Sequence, residues 1–435
     1  MFHLLKNPRH LAYLGCSLSI GVFSAFNNFT LALWLTGLTT SLLVISLFGN
    51  TRSFEGAIVQ PVVGTWSDRS WAGWLGRRRP FILAGGLFSA VVLAFTPAIS
   101  RWPLPPALGW LPHELAGLAP AIAAIFLFTL TFNAMGDTHS ALLVDLTDDA
   151  ERNRLAALSV FVNMTGQFGI LGLLAFYSSR GIPDVAFAIT GAIMAAGVLL
   201  TVLGIKEPSP AAWAGHAEGH RQRAAAQTAP RPSLATIFSD YRGAVFFCLV
   251  VFAYWSGVNA VMPLISIYTK QVLGANDAEA QLLPALLLFS TTLLAIPAGV
   301  LGNRIGKRRT ISTGYAIMGL AALAGLVVTT KEQGAIVFLL AGIGNAAAQV
   351  LTTPLLADLV PRKHMGLATG VLAASGSVAA PLSSFVAGAM ADYYGTPRVI
   401  FLIMSVMIGV ALLLMLGVRK PGEQAQAAHL TPQYA

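Results

Sequence analysis

Gly76-Arg77-Arg78-Arg79 separates two long apolar runs, and Gly306-Lys307-Arg308-Arg309 separates two others 230 residues further on. Other stretches repeat in the same way. Ala141-Leu142-Leu143-Val144-Asp145-Leu146 recurs as Pro354-Leu355-Leu356-Ala357-Asp358-Leu359, with Asp358 lying 213 residues after Asp145. Leu203-Gly204-Ile205-Lys206-Glu207-Pro208 recurs as Leu416-Gly417-Val418-Arg419-Lys420-Pro421 at the same offset, and Gly181-x-Pro183 recurs as Gly395-x-Pro397 at 214. One duplication with unequal loops explains all four matches. The chain is therefore two related halves, each with a basic loop after its second apolar run.

A helix that crosses a bilayer needs about 20 mostly apolar residues. Twelve stretches meet this length: 11–36, 41–65, 80–99, 118–147, 155–177 and 184–205 in the first half, then 243–269, 281–302, 310–329, 334–360, 366–390 and 397–418. The expected fold is an all-α membrane protein of twelve transmembrane helices in two pseudo-symmetric six-helix bundles, 1–205 and 243–420. A linker at 206–242 and a tail at 421–435 complete the chain. Composition agrees: 55% of the 435 residues are hydrophobic and 10% charged, against about 25% charged in soluble domains. So little charge cannot cover a soluble surface, and the apolar excess must face lipid.

Of the 27 Lys and Arg, five (Arg101, Arg180, Lys270, Lys331 and Arg398) fall on one face of this topology and Arg52 within a span, leaving 21 on the other face. By the positive-inside rule both termini are cytoplasmic. The net charge of +9 is thus explained by topology, without a nucleic-acid partner. The first apolar run is too long for a cleavable signal and reads as a retained helix. The linker is rich in Ala, Pro, His, Gln and Arg and lacks apolar periodicity, so it reads as solvated chain, and so do His216 and His220 within it. Cys16 and Cys248 lie in apolar runs and read as small buried hydrophobes. There is no H-E-x-x-H, G-x-S-x-G, P-loop or Cys/His metal spacing, so neither an enzyme nor a metal or organic cofactor is expected.

The second run ends in Val59-Gln60-Pro61-Val62-Val63-Gly64-Thr65-Trp66-Ser67-Asp68-Arg69, followed by Gly76-Arg77-Arg78-Arg79-Pro80-Phe81-Ile82. This resembles the major facilitator loop signature G-x-x-x-D-R-x-G-R-R. The form VQPxVGxxSDR…GRRRPFI is most similar to sucrose–proton symporters, within the glycoside–pentoside–hexuronide:cation symporter group. The resemblance implies transport by alternating access, with a substrate site near the midplane between the halves. It also implies a gating role for Asp68, Arg69, Arg77, Arg78 and Arg79. Asp145 is the natural acid for the first basic cluster, and Asp358 the acid for Arg308 in the second half; the alternative is that these arginines only set topology. Gly64 is expected to let the second helix approach its neighbour.

An ionisable group inside the membrane costs about 3 kcal/mol on insertion scales and usually has a purpose. Glu55 precedes Asp68 by 13 residues, or about 20 Å of helix, and so lies deep. Arg52 and Glu55 share a face at i, i+3 and are similar to the R-x-x-D element of the resembled group; they are either a coupling pair or a structural ion pair. On the fourth span Asp137 lies about 12 Å deeper than Asp145, with His139 on a different face. Gln60 stands where sodium-using members of the group have Asp, which favours a proton over sodium as the coupling ion, since one carboxylate suffices for a proton.

Amides and aromatics at helical positions suit a neutral polar substrate. The candidates are Asn27 and Asn28 after Phe26, Arg52, Asn133, His139, Asn163 and Gln167, Tyr254, Trp255 and Asn259, and Asn345 and Gln349. The residues therefore point to a proton-coupled sugar or disaccharide symporter, monomeric in the plasma membrane. A proton-driven efflux antiporter and an assembly factor built on the same fold are the rival readings.

Overall fold

A computed structural model describes residues 7–49, 55, 59, 62–64, 66–67, 70–103, 116–147, 149–178, 182–207, 241–361 and 364–418. Arg52, Asp68, Arg69, His216 and His220 lie outside the described residues, as does nearly all of the linker.

In the first half α1 is Pro8–Leu35, and α2 begins as Leu42–Phe48, with helical residues at 55, 59, 62–64 and 66–67. Then follow α3 (Arg79–Ile99), α4 (Ala119–Leu146), α5 (Asp149–Tyr177) and α6 (Asp184–Gly204). In the second half α7 is Arg242–Gln271. It is followed by α8 (Asp277–Ile305), α9 (Lys307–Gly325), α10 (Lys331–Leu359), α11 (Met365–Tyr394) and α12 (Val399–Met415). Local chemistry sets several ends. Pro8 opens α1 behind an Asn7 side chain that accepts from the Arg9 amide, Ser41 and Thr330 cap α2 and α10, and Gly395 ends α11 at φ 63°.

Among the described residues nine helices are long and apolar enough to cross a membrane. Of the twelve expected spans, α2, α9 and α12 fall outside this set: much of α2 lies outside the described residues, α9 starts on Lys307-Arg308-Arg309, and α12 has 17 residues. Large apolar side chains point outward, with Phe176 and Ile296 each 80% exposed. A water-soluble protein would bury them; a lipid-facing surface need not.

The chain divides into two compact units, Met1–Glu218 with Ala275–Leu282, and Gly219–Gly274 with Leu283–Ala435. In the first, α1 packs on α5 and α6, and α3 packs on α4 and α6. In the second, α7 packs on α11 and α12, and α9 packs on α10 and α12. These are the same helix pairs displaced by six helices, so the repeat read in the sequence recurs as a repeat of contacts. Small residues make the close approaches: a Cβ on Gly197 would lie 2.4 Å from the Gly15 carbonyl oxygen, and one on Gly314 would lie 2.8 Å from that of Gly344. Gly64 departs from its expected role, because a Cβ there would meet open space.

Two irregularities break the long helices. Phe26–Thr30 is a π-helical turn within α1, and Met262-Pro263-Leu264 is a 3₁₀ turn within α7, where Pro263 lacks the amide an α-helix needs.

Candidate functional site

Glu55 is 2% exposed. Its Oε1 accepts from the Thr129 hydroxyl of α4 at 2.8 Å, and that hydroxyl also lies 2.8 Å from the Ile125 carbonyl oxygen. Thr129 can therefore serve both protonation states: it donates to an ionised Glu55, or accepts from a protonated one while donating to Ile125. The second carboxyl oxygen, Oε2, is buried without a hydrogen-bond partner among the described residues. On the same stretch of α4, Phe132 stacks on Phe23 of α1 at 3.7 Å between centroids, and Phe128 meets Phe23 edge-on. Asp137, the other candidate acid, is half-buried further along α4.

His139 serves a different environment, as its angular offset from Asp137 requires. It is 2% exposed, stacks on Tyr13 at 4.1 Å, and its Nε2 lies 3.0 Å from Ser17 Oγ, which lies 2.8 Å from Ser159 Oγ. This cluster ties α1, α4 and α5 together inside the first unit. Asn163 and Gln167 of α5 join each other, the Gln167 amide donating to Asn163 Oδ1 at 2.9 Å. Asn163 also donates to the Ser17 carbonyl at 3.4 Å. Asn27, on the π turn, donates to the Gly49 carbonyl at 3.4 Å while its Oδ1 is buried without a hydrogen-bond partner among the described residues. Nearby Thr30 donates to Gln281 at 2.7 Å, a contact absent from the sequence reading. Asn28 is half-buried and Asn133 buried.

In the second unit two of the candidates, Tyr254 and Asn345, share a hydrogen-bond network. The Tyr254 hydroxyl donates to Asn345 Oδ1, and the Asn345 amide donates to Thr291 Oγ1 at 3.0 Å; Gln349, one turn further along α10, is exposed. Tyr254 stacks on Tyr315 at 5.3 Å and meets Trp255 edge-on. Asn259 instead donates back to the Trp255 carbonyl at 2.8 Å.

At the basic end of the first unit Arg77 Nη2 lies 2.6 Å, and Arg78 Nε 3.3 Å, from Asp145 Oδ2. Arg78 also donates to Ser67 Oγ at 2.5 Å, while Arg79 lies over the Trp74 ring. In the second unit the pairing differs from expectation. Lys307, not Arg308, meets Asp358 at 2.8 Å, and Arg308 donates to the Leu416 carbonyl at 3.2 Å. Lys307 is the repeat counterpart of Arg77, so the first basic residue after the glycine holds the acid in both halves.

Glu207, just past α6, escaped the sequence reading. Its carboxylate accepts the backbone amides of Arg77 at 2.7 Å, Arg78 at 2.9 Å and Arg79 at 2.8 Å. Gly76 turns at φ 81°, and a Cβ there would collide with Glu207 Oε2 at 2.8 Å. A carboxylate at a helix N-terminus is favoured by both the open amides and the dipole. The signal for it was an acid placed just after the sixth span, where its repeat counterpart is Lys420.

A family model described as Major Facilitator Superfamily matches residues 247–432. The sucrose transport protein SUC3 of Arabidopsis thaliana is 30% identical over 173 residues, 37% of this chain and 25% of that protein. The multidrug resistance protein MdtG of Salmonella choleraesuis is 30% identical over 168 residues, 37% of this chain and 41% of that one. The chain spans between 25% and 49% of the length of the curated relatives it matches. A solved D-xylose–proton symporter superposes with a TM-score of 0.68 at 16% identity, covering 97% of this chain and 98% of the other. The fold is the major facilitator fold.

Proposed function

We propose that this chain, with its major facilitator fold, is a multi-pass secondary transporter that couples a proton to the import of a neutral polar solute, a sugar or glycoside. The observation that carries the reading is Glu55: a carboxyl 2% exposed, with one oxygen on a hydroxyl that suits either protonation state and the other without a hydrogen-bond partner among the described residues. A buried carboxyl so placed can take up and release a proton without rearranging its surroundings. Asp137 is the second candidate coupling acid. Gln60 in place of an acid argues against a sodium site. The amide and aromatic residues of the two units suit hydroxyl-rich solutes, and the sucrose transport protein and the xylose–proton symporter fit that substrate class. Transport proceeds by alternating access, with the basic clusters and Asp145 and Asp358 in the gating apparatus. The protein acts as a monomer in the plasma membrane with both termini cytoplasmic.

The multidrug relative supports a second reading, proton-driven efflux. Uptake of radiolabelled sugars into proteoliposomes, with and without an inward proton gradient, tests the two readings together. The expected result is gradient-stimulated uptake of one sugar, reduced to the no-gradient level in Glu55→Gln with Asp137→Asn assayed beside it. If no sugar enters under either condition while a preloaded cationic drug leaves the vesicles in exchange for protons entering down their gradient, efflux replaces import. Transport by Glu55→Gln at the native rate would overturn the assignment of the coupling acid.

A further inference from the structure

The two halves present the same seat at their basic ends but treat it differently. Gly76 and Gly306 both take positive φ, 81° and 95°, just before the basic triplets Arg77–Arg79 and Lys307–Arg309. In the first unit the Glu207 carboxylate fills the seat and accepts three amides of the triplet. In the second, α9 begins with no side-chain cap from the described residues and no acid in its first turn, and the residue that corresponds to Glu207 in the repeat is Lys420. At this position of the repeat the sequence of the second half carries a base where the first half carries an acid.

Among the described residues, a cavity of about 820 Å³ adjoins the start of α9. Lys307, Arg308, Arg309, Ser312 and Thr313 line it, and its acid, Asp358, is already held by Lys307. Arg308 and Ser312 also line a second cavity of about 560 Å³, whose remaining wall is apolar and formed by α12: Gly409, Leu412, Leu413, Met415 and Leu416. Leu413 and Leu416 are 69% and 65% exposed on the surface of the unit. A cationic seat with hydroxyl donors thus runs directly into an apolar groove on an outward-facing helix.

We propose that this surface binds an anionic phospholipid, with the headgroup phosphate on the Lys307–Arg309 triplet and Ser312 and an acyl chain along α12 past Gly409. The first unit provides the precedent for the anion, because the repeat-related amides hold a carboxylate there. The groove selects the lipid over free phosphate, because a soluble anion gains nothing from Leu412, Leu413 and Leu416. Basic pockets at helix ends attract anionic headgroups, and guanidinium pairs well with phosphate oxygens. The site is independent of the transported solute.

Native mass spectrometry of the full chain in detergent, titrated with phosphatidylglycerol or phosphatidylcholine, tests the proposal. One tightly held phosphatidylglycerol is expected, with no equivalent phosphatidylcholine adduct. Arg308→Gln with Arg309→Gln should weaken it at least about tenfold, through loss of two charge-assisted contacts. Gly409→Leu should weaken it too, by filling the groove; a Cβ at Gly409 meets nothing within 4 Å, so the fold has room for the substitution. Millimolar inorganic phosphate should fail to displace the lipid. Unchanged lipid binding in the arginine variant would overturn the site. Displacement by inorganic phosphate, with Gly409→Leu binding normally, would overturn the lipid and leave a soluble anion as the ligand.

Discussion

Glu207 shows how much one side chain can organise at this fold's basic end. It accepts three consecutive amides that the start of α3 leaves without intrahelical partners, while the guanidinium groups of the same residues turn to Asp145, Ser67 and Trp74. Glu207→Ala should cost about 1–2 kcal/mol and lower the melting temperature in detergent, with Glu207→Gln intermediate because an amide oxygen still accepts. Equal melting of all three proteins would mean that the contact adds nothing to stability. The residue was not legible in the sequence because its partners lie about 130 positions away, beyond any helical period. Glu55 was legible, since depth in a membrane helix follows from rise per residue and a charge there needs a reason. The Lys307–Asp358 pair was half legible: the acid and the cluster were read correctly, but which cation reaches the acid depends on how α9 starts after Gly306, and no spacing rule carries that.

At the scale of the helix, close packing rests on glycines whose missing side chains neighbouring backbones use. Gly197 in α6 sits against Gly15 of α1 with no room for a methyl group, whereas Gly172 in α5 has nothing within 4 Å of where its Cβ would stand. The same substitution should therefore act in opposite directions. Gly197→Ala should destabilise by about 1–3 kcal/mol through overpacking, and Gly172→Ala should stabilise by up to about 1 kcal/mol through helix propensity. Thermal melting of the two variants side by side checks this, and a shift of the same sign in both would refute the packing argument. Nine of the twelve expected spans were plain from apolar length. The π turn at Phe26–Thr30 was not, because widening one turn leaves composition unchanged and alters only the register of the helix beyond it.

For the molecule as a whole, the duplicated sequence and the duplicated contact set agree, and the skew of basic residues predicts an orientation in the membrane. Cys16 and Cys248 are buried, so a membrane-impermeant thiol reagent should find little in the native protein. Arg101→Cys should react from outside intact cells, and Arg309→Cys only after permeabilisation, since the positive-inside rule places them on opposite sides. The reverse pattern would invert the topology. Twofold architecture was legible because offsets of 213 and 214 recur in separate motifs; the packing of α3 and α9 each between two neighbours was not, because it depends on which faces meet.

The shared set of helix pairs also has a historical consequence. A gene that doubles starts with two identical bundles, and each can then change without undoing the other's packing, since α1, α3, α5 and α6 find their partners within one copy and α7, α9, α11 and α12 within the other. The divergence of Glu207 and Lys420 is what such freedom leaves behind: one ancestral position now carries opposite charges in its two descendants, and both inherited scaffolds still close.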